Sequence, residues 1–287
     1  MRKPYIPVLP PPLVSHAVEA ALLEDMGQAG DLTSLATIAP HMHARAVINA
    51  REAGTIAGQT LARAAFAAMD AGCTYEALVE DGAKVKAGQD LAVIEGPARA
   101  VMSAERVALN YLMHLSGIAT HTARFVAEVE GTDARITCTR KTTPGLRAFE
   151  KYAVRCGGGA SHRYGLDDAV LIKDNHIAVC GGVREALEHA YAYVGHLVGV
   201  EIEVDNLDQF SEALGAGARI VLLDNMSLDD LRKAVAMNTG AVLEASGGVD
   251  IDTARAIAET GVNYISTSKI TMSAGTLDIG LDIDITE

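Results

Sequence analysis

Short apolar runs recur at a regular spacing in the second half of the chain, and this repeat limits the possible folds more than any other feature. The last four runs begin about 21 residues apart, as in repeated strand–loop–helix units, at Val200, Ile220, Val242 and Asn263. Such units are typical of a parallel sheet, and runs that are apolar almost throughout are expected where both sheet faces are buried. With two earlier runs, at 136–138 and 169–173, the repeat predicts a closed or nearly closed α/β barrel. A doubly wound open sheet is the second choice.

The first half of the chain is organised differently. A proline-punctuated arm over 1–12 leads into a predicted helix from Ser15 to about Asp25. Strand-like runs and a helix near 59–71 follow, and the strand-like runs lie at 44–50, 54–57, 91–95 and 98–102. A long helical stretch over 105–130, with Gly117 as a plausible break, then precedes the repeats.

The overall charge and composition exclude several classes of partner. The chain has 24 Lys and Arg against 37 Asp and Glu, a net charge of −13, so it should be repelled by nucleic acid and anionic membranes. Aromatic residues are only 4%, which argues against a surface that stacks on bases. Four scattered cysteines, no apolar signal helix and no run of about 18 apolar residues predict a cytoplasmic protein.

One segment is basic although the chain as a whole is acidic. Between Arg135 and Arg163 there are seven Lys and Arg residues and one acid, Glu150. This bias predicts either a site for a small, highly charged anion or a helix with a solvated basic face. Composition alone favours neither interpretation.

Polar residues follow the predicted barrel strands, where functional groups of barrel enzymes lie. They are Thr139-Arg140-Lys141, Lys173-Asp174-Asn175-His176, Asp224-Asn225, Ser246-Gly247-Gly248 and the segment 266–269. On the third run, Glu201, Glu203 and Asp205 alternate and therefore share one face. Of Glu201 and Glu203 we expect only one in the site and the other in a salt-bridged strand.

The charges of these residues predict the chemistry of the ligands. Arg140, Lys141, His162, Arg163 and Lys173 are donors suited to carboxylates or phosphates. Glu201 and Asp224 are hard oxygen ligands, which suit Mg²⁺. The Ser-Gly-Gly turn and the segment 266–268 lie where barrels commonly bind phosphate. The combination fits group transfer from an activated sugar phosphate to a second anion.

Three motifs resemble those of the quinolinate phosphoribosyltransferase family. They are TRKTTPG at 139–145, EKYAV at 150–154 and LIKDNHI at 171–177, with support from 24–33, 105–120, 222–225 and 244–248. The resemblance implies an N-terminal α/β sandwich domain over 1–118, to which the tail 275–287 returns. It also implies a catalytic domain over 119–274 with an open α/β barrel of the type II phosphoribosyltransferase kind.

The resemblance implies a pentosyltransferase of NAD biosynthesis. Such an enzyme joins quinolinate to the phosphoribosyl group of phosphoribosyl pyrophosphate, with Mg²⁺, and yields nicotinate mononucleotide, pyrophosphate and CO₂. By motif position, the quinolinate carboxylates would be held by Arg140, His162, Arg163 and Lys173. Lys141 would share this pocket and reach the donor, and Glu201 and Asp224 would engage the ribose and the Mg²⁺–pyrophosphate.

The remaining implied roles concern the phosphate and the assembly. Ser246, Gly247 and Gly248, with Ser266 and Ser268 nearby, would contact the 5′-phosphate. Arg106 would be donated across a dimer interface, so the resemblance implies at least a homodimer and leaves a hexamer open.

The sequence departs from the family pattern at two places and leaves three alternatives. Ser161 stands where the family usually has Asn, and the segment 266–272 differs from the usual Leu-Thr-His run. One alternative is the paralogous phosphoribosyltransferase-like protein associated with molybdenum uptake, which lacks the intact Lys-Asp-Asn-His run. The others are an aldolase-type barrel with Lys173 as Schiff-base nucleophile and a lipoyl- or biotinyl-carrier hairpin at 79–100.

Overall fold

The computed structural model describes the backbone of residues 5–286 and the side chains of residues 5–283. The chain forms two compact units. The first comprises the residues up to Ala123, the segment Phe149–Gly158 and the chain from Ala274 onward; the second comprises Arg124–Ala148 and Gly159–Ser273. The sequence analysis placed the boundaries at 118/119 and 274/275 and assigned 149–158 to the barrel, whereas the structure groups that segment with the first unit.

An antiparallel sheet of four strands forms the framework of the first unit, in the order β12–β1–β5–β3. The strands are β1 (His43–Ala50), β3 (Thr74–Ala77), β5 (Asp90–Pro97) and β12 (Ile279–Thr286). Alternate residues of β1 are buried, as expected of a strand with one face in a core. β12 pairs with β1 along its whole length, so the C-terminal segment forms an edge of this sheet. Two short strands, β2 (Gly54–Thr55) and β4 (Lys84–Val85), pair with each other.

Helices of the first half differ from the sequence prediction at several places. They are α1 (Pro11–Met26), α2 (Leu32–Thr37), α3 (Gln59–Met69), α4 (Ala98–Glu128) and α5 (Arg147–Cys156). α1 begins before Ser15, because proline is well accommodated at the first helical positions. The strand predicted over 98–102 is wrong: these residues form the first turns of α4.

α4 also continues through Gly117, where the sequence suggested a break. A Cβ atom at this position would collide with the carbonyl oxygen of Gly275, so the glycine allows the C-terminal segment to approach the helix. Among the described residues, no helix combines the length and the apolar composition needed to cross a membrane.

The second unit contains a parallel sheet of six strands in the order β6–β11–β10–β9–β8–β7. The strands are β6 (Arg135–Thr137), β7 (Val170–Ile172), β8 (Val200–Val204), β9 (Ile220–Asp224), β10 (Val242–Ser246) and β11 (Tyr264–Ser266). The helices between and after them are α6 (Asp174–Cys180), α7 (Val183–Tyr193), α8 (Leu207–Gly215), α9 (Leu228–Met237), α10 (Ile251–Ala258) and α11 (Lys269–Met272). β6 and β7 form the two edges of the sheet, so the barrel is open. The predicted fold class, an open α/β barrel with an N-terminal α/β domain, is confirmed.

Candidate active site

A cavity of about 630 Å³ lies within the second unit, at the carboxyl ends of its parallel strands. Its lining includes ten of the thirteen predicted site residues: Arg140, Lys141, His162, Arg163, Lys173, Asp224, Ser246, Gly247, Gly248 and Ser266. The remaining lining residues are Thr139, Leu171, Glu203, Leu222, Asn225 and Glu244. Arg106, Glu201 and Ser268 are not part of this lining among the described residues.

Two guanidinium groups form part of one wall of the cavity. Arg163 donates from Nη1 to the carbonyl oxygen of Ala169 at 3.1 Å. The Nε atoms of Arg140 and Arg163 are buried and have no hydrogen-bond partner within the described part of the chain. Burial and the neighbouring Arg140 lower the pKa of Arg163, while Glu201 and Asp168 oppose this effect. A dianionic ligand would offset the mutual repulsion of the two arginines and satisfy buried donors.

Lys173 follows β7 and contributes a further cation. Its Nζ donates to Glu203 Oε2 at 2.9 Å, and its side chain is 47% exposed. Its backbone N–H donates to Nδ1 of His176 at 2.9 Å, which fixes the first turn of α6. A Schiff-base lysine requires a desolvated or otherwise deprotonated amine. The exposed, ion-paired ammonium of Lys173 therefore does not fit the aldolase interpretation.

The acidic side of the cavity differs from the sequence prediction at one residue. Asp224 ends β9, and its Oδ2 accepts a hydrogen bond from Asn225 Nδ2 at 2.7 Å. On β8, Glu203 lines the cavity, whereas Glu201 is buried and lies 2.8 Å from Nε2 of His162. Each residue of a strand advances about 3.3 Å, so Glu201 lies about 7 Å deeper than Glu203 on the same face. Glu203 therefore occupies the position in the cavity that the sequence analysis assigned to Glu201.

Sequence reasoning did not single out Glu244, and on β8 it named Glu201 rather than Glu203, which lines the cavity. Glu244 stands within the apolar run of β10, and its Oε1 lies 3.8 Å from Nε2 of His162. An acid inside an otherwise apolar strand was a usable signal, because carboxylates are almost never buried without a partner. The signal for Glu203 was its position one residue before the end of β8.

A turn with positive φ angles closes one end of the cavity. Gly247 and Gly248 have φ values of 88° and 60°, and Asn225 has a φ of 52°. A Cβ atom on Gly247 would collide with the Asn225 side chain. The Asn225 N–H donates to the carbonyl oxygen of Ser246 at 2.9 Å, which joins the ends of β9 and β10. Backbone turns of this kind present N–H groups to anions.

The segment after β11 also contributes to the cavity. Ser266 is buried, and its Oγ has no hydrogen-bond partner among the described residues. Thr271 Oγ1 donates to the carbonyl oxygen of Lys141 at 2.8 Å, so α11 supports the loop that follows β6. Ser268, which the sequence placed in the site, is half-buried and precedes α11 outside the cavity lining.

Arg106 lies on α4 in the first unit. Its side chain is 58% exposed, and its Nη2 lies 3.9 Å from Glu105 Oε1. Such a long, exposed ion pair contributes little to stability, so the guanidinium keeps its capacity to bind an anion.

An open α/β barrel with a cation-rich cavity at its strand ends defines a class of enzyme that binds anionic small molecules. Family models narrow this class: the model described as quinolinate phosphoribosyl transferase, C-terminal domain, matches residues 118–282, and its N-terminal counterpart matches residues 31–116. The chain therefore belongs to the quinolinate phosphoribosyl transferase family, and the resemblance inferred from the motifs is confirmed.

Similar proteins cover nearly the whole chain. A probable nicotinate-nucleotide pyrophosphorylase (carboxylating) of Bacillus subtilis is 42% identical over 264 residues, which are 92% of this chain and 91% of that protein. The nicotinate-nucleotide pyrophosphorylase (carboxylating) of Mycobacterium leprae is 41% identical, over 93% of this chain and 95% of that protein. The solved structure of the nicotinate-nucleotide pyrophosphorylase from Francisella tularensis has a TM-score of 0.91 at 37% identity, covering 97% of this chain and 99% of that one. These names favour neither the molybdenum-associated paralogue nor the carrier hairpin.

Proposed function

We propose that this chain transfers the phosphoribosyl group of phosphoribosyl pyrophosphate to quinolinate and releases CO₂. The products are nicotinate mononucleotide and pyrophosphate, as in de novo NAD biosynthesis. The cluster of cations at the strand ends carries this proposal, because quinolinate and the phosphoribosyl donor are both polyanions. The names of the relatives from Bacillus subtilis and Mycobacterium leprae describe the same reaction.

The acceptor is bound by the cationic side of the cavity. Arg140, His162, Arg163 and Lys173 hold the two carboxylates of quinolinate, and Lys141 lies beside them and reaches the donor. The support for this assignment is electrostatic: the two guanidinium groups repel each other, and a dianion between them removes that cost. Two adjacent carboxylates also distinguish quinolinate from pyridines with a single carboxylate.

The donor is bound by the acidic residues of the cavity and by the Ser-Gly-Gly turn. Ser246, Gly247 and Gly248 contact the 5′-phosphate, with Ser266 nearby. Glu203 and Asp224 engage the ribose and hold Mg²⁺, because hard carboxylate oxygens on the cavity wall suit this ion. Bound there, Mg²⁺ would offset charge on the departing pyrophosphate. Glu201, the original candidate, hydrogen-bonds to His162 instead.

The residues promote the reaction by orienting the substrates and balancing their charge. The ring nitrogen of quinolinate attacks C1 of the ribose, and the bond from C1 to pyrophosphate breaks with its electron pair on oxygen. Lys141 and Lys173 offset the negative charge on the bound anions. The quaternised pyridinium then accepts the electron pair of the bond to the 2-carboxylate, CO₂ leaves, and a proton from solvent replaces it. No side chain needs to act as general base in this scheme.

The functional unit in this proposal is a homodimer, to which each subunit contributes Arg106 to the site of its partner. The exposed side chain of Arg106 supports this assignment, since it has no strong partner at the long Glu105 contact. The scattered cysteines, one basis of the predicted cytoplasmic location, support placing the reaction in the cytoplasm.

The direct test is quinolinate-dependent CO₂ release by the purified protein, with phosphoribosyl pyrophosphate and Mg²⁺. We expect release that requires all three components and falls at least about 100-fold in Lys173→Ala, which loses a charge-assisted contact to substrate. A Lys233→Ala variant, which removes an exposed lysine on α9, is the control and should keep full activity. Absence of release from folded wild-type protein would contradict the proposal.

A further inference from the structure

A buried group of one imidazole and two carboxylates lies beneath the cavity. His162 Nε2 is 2.8 Å from Glu201 Oε2 and 3.8 Å from Glu244 Oε1. The three side chains are 13%, 8% and 7% exposed, respectively. Glu201 comes from β8 and Glu244 from β10, so the carboxylates approach His162 from two strands with β9 between them.

The contact with Glu201 fixes the orientation of the His162 ring. An ionised carboxylate can only accept a hydrogen bond. An Nε2–H of His162 therefore donates to the carboxylate of Glu201 at 2.8 Å, and this contact fixes the orientation of the ring. His162 in turn lines the cavity, whereas Glu201 does not contribute to the described lining.

Glu201 also interacts electrostatically with Arg163, a neighbouring residue of the cavity lining. Its negative charge stabilises the Arg163 guanidinium, against the lowering of the Arg163 pKa by burial and by Arg140. One buried carboxylate thus supports two adjacent residues that face the ligand. A buried charge without such partners would be strongly unfavourable, so the arrangement accounts for an acid at this depth.

We infer that Glu201 is a positioning residue: it holds the His162 ring in place for the carboxylates of the acceptor and binds neither the donor nor Mg²⁺. This inference deepens the proposed function and rests on it for the identity of the acceptor. It also separates the two glutamates of β8, since Glu203 lies at the cavity and pairs with Lys173. Glu244 places a second carboxylate oxygen 3.8 Å from the same Nε2.

Steady-state kinetics of Glu201→Gln and Glu203→Gln test the inference, because the two residues share one face of one strand. We expect Glu201→Gln to raise KM for quinolinate about tenfold, the effect of weakening one charge-assisted hydrogen bond. KM for phosphoribosyl pyrophosphate and the Mg²⁺ dependence should stay at wild-type values. Glu203→Gln should raise KM for phosphoribosyl pyrophosphate and change the Mg²⁺ dependence. A raised donor KM or a changed Mg²⁺ dependence in Glu201→Gln would overturn the inference.

Glu201→Asp provides a second variant in case Glu201→Gln fails to fold. It keeps the charge but shortens the side chain, so its KM for quinolinate should lie between the wild-type and Glu201→Gln values, again with an unchanged donor KM. A quinolinate KM equal to that of the wild type in folded variants would show that the contact with His162 does not matter for the acceptor.

A measurement without substrate separates this inference from the proposed function. The chain contains nine histidines, and the ring ¹⁵N signals of His162 can be assigned by comparison with His162→Gln. In wild-type protein we expect a protonated, hydrogen-bonded Nε2, and in Glu201→Gln a changed Nε2 signal. Unchanged His162 signals would refute the positioning role even if the enzyme is active. An inactive wild type with the expected signals would refute the proposed function alone.

Discussion

At the scale of single residues, Gly247 is the position where the backbone requirement of the site is strictest. Its φ of 88° is in the left-handed region, and an added Cβ would collide with Asn225. We expect Gly247→Ala to raise KM for phosphoribosyl pyrophosphate by at least about tenfold, because the turn that contacts the 5′-phosphate would shift by a few tenths of an ångström or more. Steady-state kinetics measure the change in KM, and thermal unfolding of the variant measures its change in stability.

Gly217 offers a matched control for this substitution. Its φ is 84°, but an added Cβ would meet nothing within 4 Å, and it lies outside the cavity lining. Gly217→Ala should therefore lose about 1 kcal/mol of stability from backbone strain alone and keep the wild-type donor KM. Equal donor KM values in the two variants would contradict the role of the Gly247 turn.

Individual residues also show which parts of the site could be predicted from the sequence. Three of the predicted cations, Arg140, Lys141 and Lys173, come just after apolar runs. In a parallel barrel, residues that follow the strands lie together at the carboxyl edge of the sheet. The choice between Glu201 and Glu203 could not be made in this way, because a strand of period two gives both residues the same face. Only the depth along β8 separates them, and that depth depends on where the strand ends.

At the scale of elements, the short helix α2 depends on its N-terminal cap. Asp31 Oδ1 accepts a hydrogen bond from the Ser34 N–H at 2.9 Å, and Oδ2 accepts from Ser103 Oγ at 2.9 Å. These contacts hold the pKa of Asp31 below its usual 3.8, with the Ser34 hydroxyl as the largest cause. The cap therefore contributes stability above pH 3.8, and this contribution is lost as the pH falls through the lowered pKa.

We expect Asp31→Ala to lower the free energy of unfolding by about 1 kcal/mol at pH 7, the usual effect of losing an N-cap. The difference from the wild type should shrink as the pH falls below 3.8, because protonated Asp31 is a weaker acceptor. Denaturant unfolding at several pH values measures this difference in the free energy of unfolding. Asn206→Ala removes the neutral cap of α8, so its deficit in the free energy of unfolding should not vary with pH. A constant deficit in both variants would contradict the lowered pKa.

The elements of the barrel were easier to predict than those that depend on distant partners. The repeat of apolar runs predicted the strands β8 to β11 close to their observed positions. The segment 98–102 was assigned to a strand because its apolar content does not distinguish a strand from the first turns of a helix. Likewise, α5 lies between two barrel segments along the sequence. The structure nevertheless groups Phe149–Gly158, which includes most of α5, with the first unit. Local patterns contain no information about such long-range packing.

At the scale of the whole molecule, the proposed dimer makes each active site dependent on two chains. Lys173 would come from one subunit and Arg106 from the other, so the variants Arg106→Ala and Lys173→Ala damage different halves of each site. We expect each variant alone to be nearly inactive. Mixing them in equal amounts, with exchange of subunits, should restore about a quarter of the wild-type activity, since half of the dimers are mixed and one of their two sites is intact.

A second mixture tests whether the recovered activity comes from a site that is shared by two subunits. Arg140 and Lys173 line the cavity of a single chain, so a mixed dimer of Arg140→Ala and Lys173→Ala carries one lesion in each of its sites. This mixture should stay inactive under the conditions that restore the first one. Recovery in both mixtures would indicate that the substitutions act through subunit stability, and recovery in neither would place Arg106 in the same site as Lys173 of its own chain. Only recovery confined to the first mixture supports a cation donated by the second subunit, because it requires that each intact site combine one residue from each chain.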